Sequence, residues 1–144
     1  MSQYQLTLND EQVQMLLRAL DVYSRVGCGQ FDRILEMFCN DPRLLEGMLA
    51  IQWETLFCSF KQQLQLQRDA SYSICSPEVP VDYRLAFDVL QVIRHHIAWK
   101  EQPEGGHFVK FDLPMNTSAL PFCTIETVTP RQVDLDQAAT EIIV

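Results

Sequence analysis

Along residues 9–27, NDEQVQMLLRALDVYSRVG, apolar side chains recur with a helical period. At about 100° per residue, Val13, Leu16, Leu17, Leu20 and Tyr23 fall on one face. Met15, Ala19, Val22 and Val26 fall on a second, which leaves Gln14, Arg18, Asp21 and Arg25 as the polar strip. A helix apolar around most of its circumference is expected to sit centrally or to be covered by another subunit. Asn9 can cap it, Gln12 stands at the reciprocal position of a capping box, and Asp10 and Glu11 suit the positive helix end. Gly27-Cys28-Gly29 interrupts the pattern, and QFDRILEMFCN resumes it as a short helix with Phe31, Ile34, Leu35 and Phe38 inward. DPRLLEGMLAIQWETLFCSFKQQLQLQ predicts a third, with Asp41 as cap and Pro42 at its first position. Its stripe is Leu45, Leu49, Trp53, Leu56, Phe60 and Leu64. Residues 68–80 carry two prolines and no helical period, so a loop is expected. VDYRLAFDVLQVIRHHIAWKE, residues 81–101, is the last strong helix, with Ala86, Leu90, Ile93 and Ile97 inward, and QPEGG closes it.

Beyond that point the period changes from helical to alternating. HFVKFDL and PFCTIETV read as strands, and so does YQLTL near the N-terminus, with Tyr4, Leu6 and Leu8 on one face. The expected fold class is therefore α+β and mainly α: about four helices packed with a small three-stranded sheet made of the N-terminal strand and the C-terminal strands. Residues 1–128 form the expected single domain. Residues 129–144 are expected to be a loosely structured tail, or one that docks on a partner through Ile142, Ile143 and Val144.

Composition narrows the function. The formal net charge is −8, with 6 basic and 9 acidic residues in positions 1–70 and 5 and 10 in positions 71–144. An acidic surface of this kind repels nucleic-acid backbones and anionic membranes but suits a basic protein partner. The five cysteines are scattered with no Cys-x-x-Cys pair, and the N-terminus has no signal-peptide pattern. Reduced thiols in a cytoplasmic protein are the expectation. No metal or other cofactor is expected, since His95 and His96 are adjacent and no His-x-x-x-His or His-Glu-x-x-His spacing occurs.

The Gly-Cys-Gly corner has two readings. Its amides could cradle an anion at the start of the next helix, with Arg25 and Gln30 beside them. Alternatively Gly27 ends the first helix in a left-handed conformation while Gly29 permits a tight turn. Arg25 would then pair with Asp21 one turn earlier. Arg94 is the second anion candidate, because a guanidinium grips phosphate or carboxylate as a fork. A tyrosine such as Tyr23 could stack a ring. The candidate ligand site is thus Tyr23, Arg25, Gly27, Gly29, Gln30 and Arg94. Cys28 at a helix start would have a lowered pKa, but no nucleophile elbow, Cys–His pairing or paired-carboxylate motif accompanies it, and no enzyme is expected.

RALDVYSRVGCGQF, CSPEVP, QVIRHHIAW, PEGG and VKFDLP together resemble a group of small uncharacterised accessory proteins of bacterial viruses, over about residues 15–125. That resemblance implies expression in an infected bacterial cytoplasm and antagonism of host defence by binding. It carries over no functional residue. The expected function is a non-catalytic, homo-oligomeric binding protein that sequesters a nucleotide-like or phosphate-bearing small molecule. The alternative is an acidic protein–protein inhibitor of a host protein with no ligand pocket. A hydrolase using Cys28 or the His95/His96 pair is the third hypothesis.

Overall fold

A computed structural model describes residues 4–38 and 50–128. Four helices occur among them: α1 (Asp10–Gly27), α2 (Asp32–Phe38), α3 (Ala50–Gln63) and α4 (Val81–Glu101), followed by a 3-10 turn at Val109–Phe111. The start of α1 forms as its sequence dictates. Gln12 N–H donates to Asn9 Oδ1 at 2.8 Å and Asn9 N–H donates to Gln12 Oε1 at 2.9 Å, a complete capping box. The expected Asp41 cap, Pro42, Leu45, Leu49 and the tail 129–144 lie outside the described residues.

The centre of the structure is the antiparallel pair of α1 and α4. Asp10 lies 3.7 Å from Lys100, Asp21 3.3 Å from Arg94, and the Tyr23 and Tyr83 rings are 4.8 Å apart. α4 supplies most of the core: Ala86, Leu90, Ile93 and Ala98 are buried, Leu90 completely, while Ile97 is half-buried. Val79 closes the core from the preceding loop, at 0% exposure. On α1 the expected first face is half-buried at Val13, Leu16, Leu17 and Leu20. Met15 and Tyr23, from the two faces, remain exposed. The residue before α2 packs on α3: Phe31 is stacked 5.8 Å from Phe57, whose ring lies 5.7 Å from Trp53 on the same helix. Phe57 on α3 is buried, whereas Leu56, Phe60 and, just past the helix, Leu64 of the expected stripe are exposed.

The expected three-stranded sheet is not formed: no strand occurs among the described residues, so the α+β expectation gives way to a helical structure. HFVKFDL instead coils at Val109–Phe111, which turns Phe111 inward onto Trp99, their rings 5.5 Å apart at 88°. PFCTIETV and YQLTL make no backbone hydrogen bond to a neighbouring strand among the described residues. Alternation marks a chain that runs extended over a surface, and pairing requires a partner edge that local sequence does not specify.

The chain after α4 is held by a carboxylate rather than by a ladder. Asp88, 3% exposed, accepts from Thr117 N–H (2.8 Å) and Thr117 Oγ1 (2.6 Å) through Oδ1. Its Oδ2 accepts from Ser118 N–H (2.8 Å) and Ser118 Oγ (2.6 Å). Burial pushes the Asp88 pKa up, but these hydrogen bonds together outweigh it and hold the carboxyl below the usual range. Arg84 Nη1 adds a bond to Thr117 O at 3.2 Å.

Asp88→Ala is expected to destabilise the fold by about 3 kcal/mol, because it strips four donors of one acceptor in a buried setting. Since the folded pKa is depressed, the ionised group's contribution is present above the unfolded value of about 3.9 and is lost as pH falls through the folded value. Urea midpoints of wild type and variant at successive pH values check this: the gap should narrow only in that acid range.

Candidate functional site

The end of α1 is a complete helix stop. Cys28 N–H and Gln30 N–H both donate to Arg25 O, at 3.0 and 2.9 Å, and Gly29 N–H donates to Val26 O at 2.9 Å. This is the Schellman pattern, with Cys28 as cap and Gly29 in the left-handed region at φ +80°. Gly29 rather than Gly27 is therefore the left-handed residue. The three loop amides are consumed by the helix they terminate and are not presented to an anion. Gly27 has a different task. A Cβ there would lie 2.1 Å from Tyr83 Cγ, so its missing side chain lets α1 close against the start of α4.

The same closure builds a cleft of about 410 Å³. Its polar wall carries Asp21, Arg25, Gln30 and Arg94; Ser71 to Ile74 form the facing wall, and Cys28 and Phe87 add apolar surface. Arg25 Nε donates to Asp21 Oδ2 at 3.0 Å, and Arg94 Nη2 donates to Asp21 Oδ1 at 3.3 Å. One carboxylate thus holds two guanidinium groups whose side chains remain 34% and 41% exposed. Arg25 Nη1 donates to Gln30 Oε1 at 2.9 Å, and Gln30 Nε2 reaches Ser71 Oγ at 3.3 Å. Arg25 Nη2 and Arg94 Nη1 bond to nothing among the described residues.

The facing wall is fixed from both sides. Tyr72 N–H donates to Cys28 O at 2.9 Å, and Tyr72 Oη donates to Leu64 O at 2.7 Å. Lys61 Nζ gathers the carbonyls of Arg68 and Ala70. The loop after α3 is thereby folded back over the end of α1, which places Ser71 and Ser73 opposite the arginines.

Of the six residues expected to form a site, the structure brings Arg25, Gln30 and Arg94 into one cleft. Tyr23, Gly27 and Gly29 do not line it: Tyr23 lies on Tyr83, and the glycines shape the corner behind. Sequence reasoning missed Asp21 as the meeting point and the Ser71–Ile74 wall. Only the Asp21–Arg25 spacing of one helical turn was a usable signal.

Cys28 does not stand at a helix start. It caps the C-terminal end of α1, 4% exposed, and burial pushes its thiol pKa up against the pull of Arg25. The expectation of a lowered pKa is corrected on that ground. His96 Nε2 lies 3.1 Å from Thr127 Oγ1, and His95 packs edge-on to Trp99. No cluster of three metal-ligating side chains occurs among the described residues. No described helix is long and apolar enough to cross a membrane. Comparison with known proteins returned no match to a protein family, a curated protein or a solved structure.

Both glycines are expected to be structural positions with separable costs. Gly27→Ala must displace Tyr83 and should cost roughly 1–3 kcal/mol. Gly29→Ala forces a side chain into the left-handed region and toward Leu66, at about 1 kcal/mol or more. Denaturant midpoints measure both, and a neutral Gly27→Ala would contradict the close approach.

Proposed function

We propose that the chain is a non-catalytic binding protein that holds a small phosphate-bearing, nucleotide-like ligand in the cleft between α1 and α4. The observation that carries this reading is the convergence of Arg25 and Arg94 on Asp21, across 73 residues of sequence in the case of Arg94. Two guanidinium groups held by one carboxylate are pre-positioned, so little side-chain entropy is lost when they take up an anion. Gln30, Ser71 and Ser73 offer the neutral hydrogen-bonding groups that orient a ligand, and Phe87 and Ile74 give a ring or sugar an apolar surface. Sequestering a nucleotide signal, the role implied by the resemblance to viral accessory proteins, is one use to which such a binder fits.

A second reading, a protein-binding module, is favoured by a different observation. Phe108, Val109, Leu113, Met115, Phe122 and Val128 are all exposed along one stretch after α4. Apolar side chains exposed at this density along one segment are the kind of surface that another protein would cover.

Thermal denaturation in the presence of nucleotides separates the two. A ligand at 100 times its Kd should stabilise the protein by about 2.7 kcal/mol. Arg25→Ala and Arg94→Ala should each abolish most of that shift while leaving the unliganded midpoint close to wild type. If no nucleotide shifts the midpoint, the small-ligand reading fails and the protein-binding one stands.

A further inference from the structure

We propose that this cleft is built for a single negative charge, and that its ligand presents a monoanionic phosphodiester rather than a doubly charged terminal phosphate. The inference rests on the reading of the cleft as a ligand site and goes on to name the class of ligand. Three charged side chains line the cleft: Arg25 and Arg94 contribute two positive charges and Asp21 one negative, leaving a net charge of +1. Arg33, whose charge is felt at Asp21, is neutralised by its own pair with Glu36 and does not alter that balance. Each oxygen of Asp21 holds a different arginine, so its charge sits beside both guanidinium groups.

The attraction between ligand and cleft grows in proportion to the ligand's charge, whereas the cost of removing the ligand from water grows as the square of that charge. With Phe87, Ile74 and Cys28 among its lining, part of the cleft solvates ions poorly. A second negative charge therefore adds more desolvation cost than attraction. It also doubles the repulsion from Asp21 at close range, within a chain of net charge −8. A diester balances the +1 cleft with one charge. It has two unesterified oxygens, one each for the unbonded Nη2 of Arg25 and Nη1 of Arg94. Its two ester arms are free for the serine wall and the apolar surface.

The test reads the non-exchanging Cδ–Hδ signals of Arg25 and Arg94 by NMR on the full chain, at constant ionic strength and about pH 8, where a phosphate monoester or inorganic phosphate is dianionic. Dimethyl phosphate is titrated against inorganic phosphate, and 3′,5′-cyclic AMP against 5′-AMP. The singly charged member of each pair should move these signals at about tenfold lower concentration, a difference of about 1.4 kcal/mol. Asp21→Asn, which raises the cleft to +2, should erase or reverse that order. Equal or tighter binding of the dianions by the wild-type chain would overturn the charge rule and leave the ligand cleft standing. If none of the four probes moves either arginine, the cleft reading falls as well. The wild-type comparison decides the matter even where Asp21→Asn proves unstable.

Discussion

At Gly27 a hydrogen stands where any other residue would place a carbon 2.1 Å from Tyr83 Cγ, and the position of α1 on α4 depends on that vacancy. Helices pack by fitting side chains into grooves, so a contact this close fixes both the separation and the register of the pair. Once Gly27 is seated on Tyr83, the antiparallel course of the two helices brings Asp21 within reach of the long side chain of Arg94. Arg25, one turn beyond Asp21 on the same helix, reaches the same carboxylate. A shift of one turn, about 5.4 Å, would part the arginines and dissolve the cleft. The corner that seemed to offer its backbone to a ligand instead sets the helices that offer their side chains.

Two carboxylates facing the same helix pair are put to opposite uses. Asp88 is removed from water and compensated by four short hydrogen bonds, all from Thr117 and Ser118. Such a group is fully satisfied and has nothing left to give a ligand; its effect is to tie the chain after α4 back onto the helix. Asp21 is wetter, and its partners are guanidinium groups with donors to spare. Exposed ion pairs of this kind add little stability. Their value lies in fixing the direction of the arginines, which is what a binding site requires and a fold does not.

The parts of the structure legible in the sequence are those decided over a few residues. The α1 capping box is a three-residue relation, and α4 runs over residues 81–101 as its period and flanking prolines and glycines indicate. Alternation predicts strands, but pairing depends on a second edge far away in sequence, and no sheet forms among the described residues. Periodicity puts Ala86, Leu90, Ile93 and Ile97 inward on this helix and gives no sign that Asp88 is buried. Its burial is decided by Thr117 and Ser118, 29 and 30 residues further on. Arg25, Gln30 and Arg94 stood out by residue type, but Asp21 as their common partner follows only from helix register.

The displacement of the candidate site from backbone to side chains also bears on selectivity. Amides at a helix start attract any anion through partial charge and hold it by its general shape. Here the Schellman bonds remove that option, since Cys28, Gly29 and Gln30 all point their N–H groups back at α1. In the proposed site, recognition would come from whole charges, two positive and one negative, placed on two helices. A site of whole charges distinguishes ligands by how much charge they carry, which partial charges at a helix end do poorly. The helix stop at Gly-Cys-Gly uses up its own amides, so under the proposed reading Asp21 is the group that would set what the arginines accept.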